Sequence, residues 1–319
     1  SDDFFYTTNP TVAVNTVLRS LNLEEGDEVL TTNHEYGAMD RTWSYFSKKK
    51  GIKYIRQNIS LPILSKEQIL NEFWSGYTSK TKIIFISHIS SVTALVFPVK
   101  EICEKARELG LITIIDGAHV PGQLDLNIQE LNPDFYTGAL HKWMLAPKGV
   151  SFLYVKKTFQ NSIDPLVVSW GYESESPSDS QFLDYHQHQG TRDISAFLTI
   201  PKAIEFLRVN NWEERAASCR KLIRDNYNKF CELLNSKPIC PLTSEFLVQM
   251  CSIPIRTTKP LELKETLFHK YKIEIPVMKL EDKFFLRIAI NGYNSQQDLE
   301  ILQEALEDII ENSDLINLG

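Results

Sequence analysis

Over its first two thirds the chain alternates short runs rich in β-branched residues with stretches of helical periodicity, and this alternation restricts the fold more than any other feature. Parallel strands need a crossover connection, usually a helix, so the pattern predicts an α/β fold with a mainly parallel central sheet covered by helices. The expected strands are residues 28–31, 53–56, 82–87, 111–116, 134–137 and 150–155. Between them, residues 99–109 give the clearest amphipathic helix. Ile102, Ala106 and Leu109 share one face, Glu101, Lys105 and Glu108 the other, and Gly110 stops it. From 164 to 193 the periodicity disappears and Ser, Glu, Pro and Gln replace the apolar runs, which predicts a long functional loop. Helices at 196–209 and 212–235 follow. Strands at 245–255, 273–277 and 284–290, with helices at 261–271 and 295–310, then make a smaller C-terminal α+β unit. At 319 residues the chain suits two domains, expected at 1–200 and 201–319 with the boundary near Pro201.

Charge and cysteine usage narrow the partners. Acidic residues number 41 against 34 basic ones, a net charge of −7, so nothing draws the chain generally toward nucleic acid or an anionic membrane surface. The longest apolar runs, such as 83–86 and 111–115, are far shorter than the ~20 residues of a membrane helix. No nucleic acid and no membrane is expected as a partner. Five cysteines (Cys103, Cys219, Cys231, Cys240, Cys251) form no C-x-x-C pair and no secretion signal precedes them, which reads as a reducing, cytoplasmic setting. No metal is expected.

Ligands of an open parallel sheet bind at the carboxyl ends of the strands. Three polar clusters fall there: Asp116-Gly117-Ala118-His119, Gly138-Ala139-Leu140-His141-Lys142-Trp143, and Ser87-His88-Ile89-Ser90-Ser91. A lysine drawn out of water beside an imidazole and a carboxylate loses its proton more readily and becomes a nucleophile, which points to Schiff-base chemistry at Lys142. Lys148 is the competing lysine, in a Pro-Lys-Gly turn.

In this order and spacing, Asp116-Gly117-Ala118-His119, His141-Lys142-Trp143 and Ala146-Pro147-Lys148-Gly149 resemble the pyridoxal-phosphate enzymes of fold type I, class V aminotransferase group. The isopenicillin N epimerase-like proteins are the nearest subgroup and cysteine desulfurases more distant relatives. Thr7-Thr8-Asn9-Pro10-Thr11, Asn33-His34-Glu35-Tyr36-Gly37, Gly190-Thr191-Arg192-Asp193 and Arg287 extend the likeness over nearly the whole chain.

The resemblance implies pyridoxal 5′-phosphate as cofactor, held covalently by Lys142, with Asp116 on the pyridine nitrogen, where it stabilises the protonated ring as an electron sink. His119 stands where desulfurases carry the glutamine that meets the phenolic oxygen. Asn9, Pro10 and Thr11 at the start of a helix at 12–21 suit the phosphate, with His141 as a second contact. Ala139 lacks the hydroxyl that relatives place there, and Thr191, supplied across a homodimer with shared active sites, is the compensating contact. His34 or Tyr36 stacks on the ring, with His34 favoured. Ser91 replaces the relatives' asparagine, and Arg287 clamps the substrate carboxylate. Relatives have a further segment ahead of the phosphate-binding turn, so an N-terminal piece is expected to be missing here.

The resulting expectation is an enzyme acting at the α-carbon of a small amino acid by epimerisation or racemisation, with Lys142, Asp116 and His34 as its catalytic set. C–S lyase or desulfurase-like β-elimination and transamination are the alternatives. Persulfide chemistry is disfavoured, since no cysteine lies in the stretch just before Arg287. The alternative of another class, a binding protein that kept the fold and lost the chemistry, conflicts with the joint presence of Asp116, His141 and Lys142.

Overall fold

A computed structural model of the chain describes residues 2–319, which divide into two compact units. The first comprises the chain up to Asn58 with Leu70–Ile89 and Pro98–Arg208, and the second Ile59–Ile69, Ser90–Phe97 and Val209–Gly319.

In the first unit seven strands form one sheet: β1 (Phe4–Thr7), β2 (Glu28–Thr32), β3 (Lys53–Gln57), β4 (Thr81–Ser87), β5 (Ile112–Asp116), β6 (Phe135–Ala139) and β7 (Ser151–Val155). Their order is β1-β7-β6-β5-β4-β2-β3. Neighbours from β6 to β3 are parallel, while β7 runs against both β6 and β1, so the sheet is mainly parallel. Strands buried on both faces need apolar residues without alternation, and Ile83, Ile84, Phe85 and Ile86 of β4 are all inaccessible. On one face, Val29, Ile83, Phe85, Ile114, Phe135 and Leu153 meet Val14, Val17 and Leu18 of the helix Pro10–Ser20 and Met39, Trp43 and Phe46 of the helix Gly37–Lys50. The helix Val99–Glu108 packs on β5 through a buried stripe that includes Ile102, Cys103 and Ala106. Each such large apolar side chain contributes about 1.5–3 kcal/mol by leaving water.

Two features of this unit differ from the sequence reading. The opening Phe-Phe-Tyr-Thr run is a strand, because pairing with β7 satisfies its backbone and buries Phe5. The supposedly structureless 164–193 contains the helix Gln181–Gln187, capped where the Ser180 hydroxyl accepts the Leu183 N–H at 3.3 Å. Its Phe182 and His186 both lie against Phe5, so tertiary packing supports a helix too short to form alone.

In the second unit, β8 (Met250–Ile255), β9 (Val277–Leu280) and β10 (Lys283–Ala289) form an antiparallel sheet in the order β8-β10-β9. The helices Trp212–Leu233, Pro260–His269 and Gln296–Asn312 accompany it. A single boundary near Pro201 does not describe this unit. It begins at Val209 and takes in two earlier stretches, held by the Ile63 N–H on the Ile239 carbonyl (2.8 Å), the Val96 N–H on that of Phe246 (3.0 Å) and the Ser252 hydroxyl on that of Val92 (2.7 Å). The strand expected at 273–277 starts only at Val277, since Pro276 lacks the N–H a ladder needs. Among the described residues, no helix is long and apolar enough to cross a membrane.

Candidate active site

Because β6, β5, β4 and β2 are consecutive neighbours in the sheet, their carboxyl ends bring Asp116, Ser87, Thr32 and the 140–143 turn to one edge. Asp116 ends β5 with 3% of its surface exposed, and its Oδ1 accepts the Ala118 N–H at 2.9 Å. Burial pushes this carboxyl above its ordinary range, against the pull of that N–H and of Lys142 whenever that amine is protonated. The following turn is tight. A Cβ on Gly117 would lie 2.2 Å from the Tyr136 hydroxyl, so only glycine lets the chain pass the buried ring.

Lys142 is half-buried just beyond β6, with its Nζ 3.1 Å from His119 Nε2, whereas Lys148 is exposed. On the other side of the His119 ring, the Trp143 indole N–H donates to Nδ1 at 3.3 Å. Gln123 Nε2 fixes the backbone of the same residue by donating to its carbonyl at 2.7 Å. Asp116, His119 and Lys142, each expected from a strand end, thus lie in one region, and Trp143 joins them as a partner that no motif announced.

Glu35 is the other residue that motif reading passed over. It is 3% exposed and accepts hydrogen bonds from the Thr32 hydroxyl (2.6 Å), the Ser87 N–H (2.9 Å) and the Ser87 hydroxyl (2.6 Å). Ser87 is the register partner of Asp116 across β4 and β5. Burial pushes Glu35 up to about 7 and the Asp116 charge adds to the rise, while the Ser87 and Thr32 bonds oppose it. The visible signal was a glutamate inside Asn33-His34-Glu35-Tyr36-Gly37 at a strand end. Beside it, His88 Nδ1 lies 3.1 Å from the Tyr136 hydroxyl, and burial pushes that imidazole down to about 4.

The remaining candidates fall in different settings. Asn9 caps the helix Pro10–Ser20, its Oδ1 accepting the Val12 N–H at 2.9 Å with Pro10 in the first turn, and Thr11 is half-buried there. His141 Nδ1 donates to the Val150 carbonyl at 2.8 Å. His34 is wholly inaccessible, whereas Tyr36 keeps 46% of its surface open. Thr191 is exposed. Ser91 and Arg287 both belong to the second unit, where Arg287 Nη1 donates to the Ser91 carbonyl and, at 3.0 Å, to its hydroxyl. All five cysteines are free and buried, and burial raises every thiol.

A parallel sheet with a lysine, an imidazole and a buried carboxyl at the ends of neighbouring strands defines an α/β enzyme with its chemistry at the carboxyl edge. The aminotransferase class-V family model matches residues 1–302, and the chain belongs to that family. It is 32% identical to the isopenicillin N epimerase of Amycolatopsis lactamdurans, over 95% of this chain and 80% of that protein. It is 26% identical to a probable chloroplastic L-cysteine desulfhydrase of Arabidopsis thaliana, over 92% of this chain and 66% of that protein. Among solved structures, an apo cysteine desulfurase from Thermococcus onnurineus superimposes with a TM-score of 0.80 at 18% identity, over 97% of this chain and 80% of that one.

Proposed function

We propose that the chain is a pyridoxal 5′-phosphate enzyme that labilises the α-hydrogen of a small amino acid and epimerises or racemises that centre. The observation that carries this reading is the buried Asp116 carboxyl near a half-buried Lys142, on the ends of adjacent strands. A buried carboxyl answered by one backbone N–H among the described residues suits a protonated ring nitrogen, and a lysine in contact with an imidazole suits covalent attachment, so these residues fit the cofactor. When bound, pyridoxal phosphate supplies the electron sink that makes an α-hydrogen acidic.

The chain's own residues do the rest. Lys142 Nζ exchanges the proton at the α-carbon on one face, and inversion requires a second proton donor or acceptor on the opposite face. Asp116 keeps the ring nitrogen protonated, and His119 donates toward the phenolic oxygen. The turn at Asn9, Pro10 and Thr11 receives the phosphate on helix N–H groups, with the Asn9 cap fixing the backbone that presents them. His141 is the second phosphate contact. The open ring of Tyr36 offers a stacking face, which the inaccessible His34 lacks, so the exposure favours Tyr36 over the histidine preferred from sequence. Arg287 binds the α-carboxylate, and Ser91 holds its guanidinium in place. The exposed Thr191 supports a homodimer in which each subunit completes its partner's phosphate site, and the five free, buried cysteines support a reducing, cytoplasmic setting.

Elimination at a C–S bond is the second reading, supported by the desulfhydrase relative and requiring no protein thiol. Incubation with a panel of L- and D-amino acids in deuterium oxide separates the two. Epimerisation is expected to give deuterium at the α-carbon and both enantiomers, whereas release of sulfide and pyruvate from cysteine would replace that reading with the lyase. Borohydride reduction and peptide mapping should place the cofactor on Lys142, and an adduct on Lys148 would overturn the assignment.

A further inference from the structure

Trp143 and His119 form a directed pair. An indole N–H donates and cannot accept, so the His119 Nδ1 at 3.3 Å must present its lone pair. A neutral imidazole with an accepting Nδ1 carries its proton on Nε2, and a doubly protonated ring would set N–H against N–H. Nε2 lies 3.1 Å from Lys142 Nζ. An ammonium at that position faces another donor, whereas a free amine offers its lone pair.

The arrangement is held from several sides. Gln123 pins the His119 carbonyl at 2.7 Å. The 116–122 turn passes so close to the lysine turn that a Cβ on Gly122, whose φ is +89°, would lie 2.5 Å from the Trp143 carbonyl oxygen. A Cβ on Gly138 would lie 2.7 Å from Pro121. Trp143 is itself buried, at 6% exposure, so its N–H is committed away from water. The charge that Lys142 meets from the end of β5, that of Asp116, favours the ammonium, but burial holds this carboxyl toward its neutral form.

We propose that Trp143 is a positioning residue that fixes the His119 proton on Nε2 and thereby presents Lys142 as a free amine, ready to react with a carbonyl. The inference rests on Lys142 being the cofactor's attachment point, but its first test does not. In the cofactor-free full chain near neutral pH, two-bond proton–nitrogen correlation of the labelled imidazoles is expected to show His119 protonated on Nε2 alone. A proton on Nδ1, or on both nitrogens, overturns the proposal without any variant. In Trp143→Phe, which keeps a ring but loses the N–H, the tautomer should no longer be fixed, and acetylation of Lys142 by acetic anhydride near neutral pH should slow about tenfold, the equivalent of one pH unit of lost free amine. His119→Gln, whose amide has one accepting and one donating end, should keep most of the rate. An unchanged rate in Trp143→Phe overturns the proposal. A borohydride adduct away from Lys142 would instead sink the functional reading and leave the tautomer result standing.

Discussion

Two carboxyls share the end of this sheet, and burial governs both. Glu35, held at about 7 against an ordinary 4.5, binds more protons folded than unfolded over that interval. Its contribution is therefore complete below about 4.5 and is lost as pH rises through 7, a swing of about 3 kcal/mol. Glu35→Gln removes the titration, so its melting temperature relative to the parent should rise between pH 5 and pH 8; a constant difference would mean that Glu35 is not held protonated. Asp116→Ala should keep some bound cofactor but lose most α-hydrogen exchange with solvent, measured by deuterium incorporation, because the ring nitrogen loses its counter-charge. Asp116 and Lys142 were legible in the sequence because the first closes a run of strand residues and the second follows one within a marked motif. Glu35 was not, because what makes it interior is Ser87, 52 positions away, and no local pattern announces that meeting. Trp143 was visible as a letter of a motif, but its pairing with His119 depends on how closely the 116–122 turn approaches β6 and the turn after it, at Gly122 and Gly138.

At the scale of elements, the five parallel strands were readable to within a residue or two; burial of β2, β4, β5 and β6 favours runs with few charges, while the exposed edge strand β3 is marked by its Lys-Tyr-Ile-Arg-Gln run between helical segments. β1 and the helix Gln181–Gln187 escaped, being too short for periodicity and held by Phe5 and its neighbours. The pieces 59–69 and 90–97 escaped for a similar reason, because hydrogen bonds with residues far along the chain, such as Ile239, Phe246, Ser252 and Arg287, hold them in the second unit. The helix Pro10–Ser20 carries a prediction of its own. Asn9→Ala removes the oxygen that holds the Val12 N–H and should cost about 1 kcal/mol in a urea titration. The same change should loosen the cofactor's phosphate, read as faster cofactor loss on dialysis, whereas a purely local cap would alter stability alone.

For the whole molecule, the proposal under test is assembly. Thr191 is exposed and position 139 carries alanine, so the proposed phosphate site would be completed by the partner subunit. Analytical ultracentrifugation should give a dimer that dissociates more readily without cofactor, and a cofactor-loaded monomer at working concentration would refute sharing.

The distribution of the cysteines has a practical consequence. Cys103 lies in the first unit and Cys219, Cys231, Cys240 and Cys251 in the second, all sealed from solvent, with Cys103 and Cys240 pushed up to about 12. A thiol reagent can reach them only through opening of the fold, so labelling becomes a clock with a separate hand for each unit. Pulse alkylation followed by mass spectrometry should find no fast-reacting cysteine in the native protein. In mild denaturant, the order in which Cys103 and the other four acquire the label would show which unit opens first.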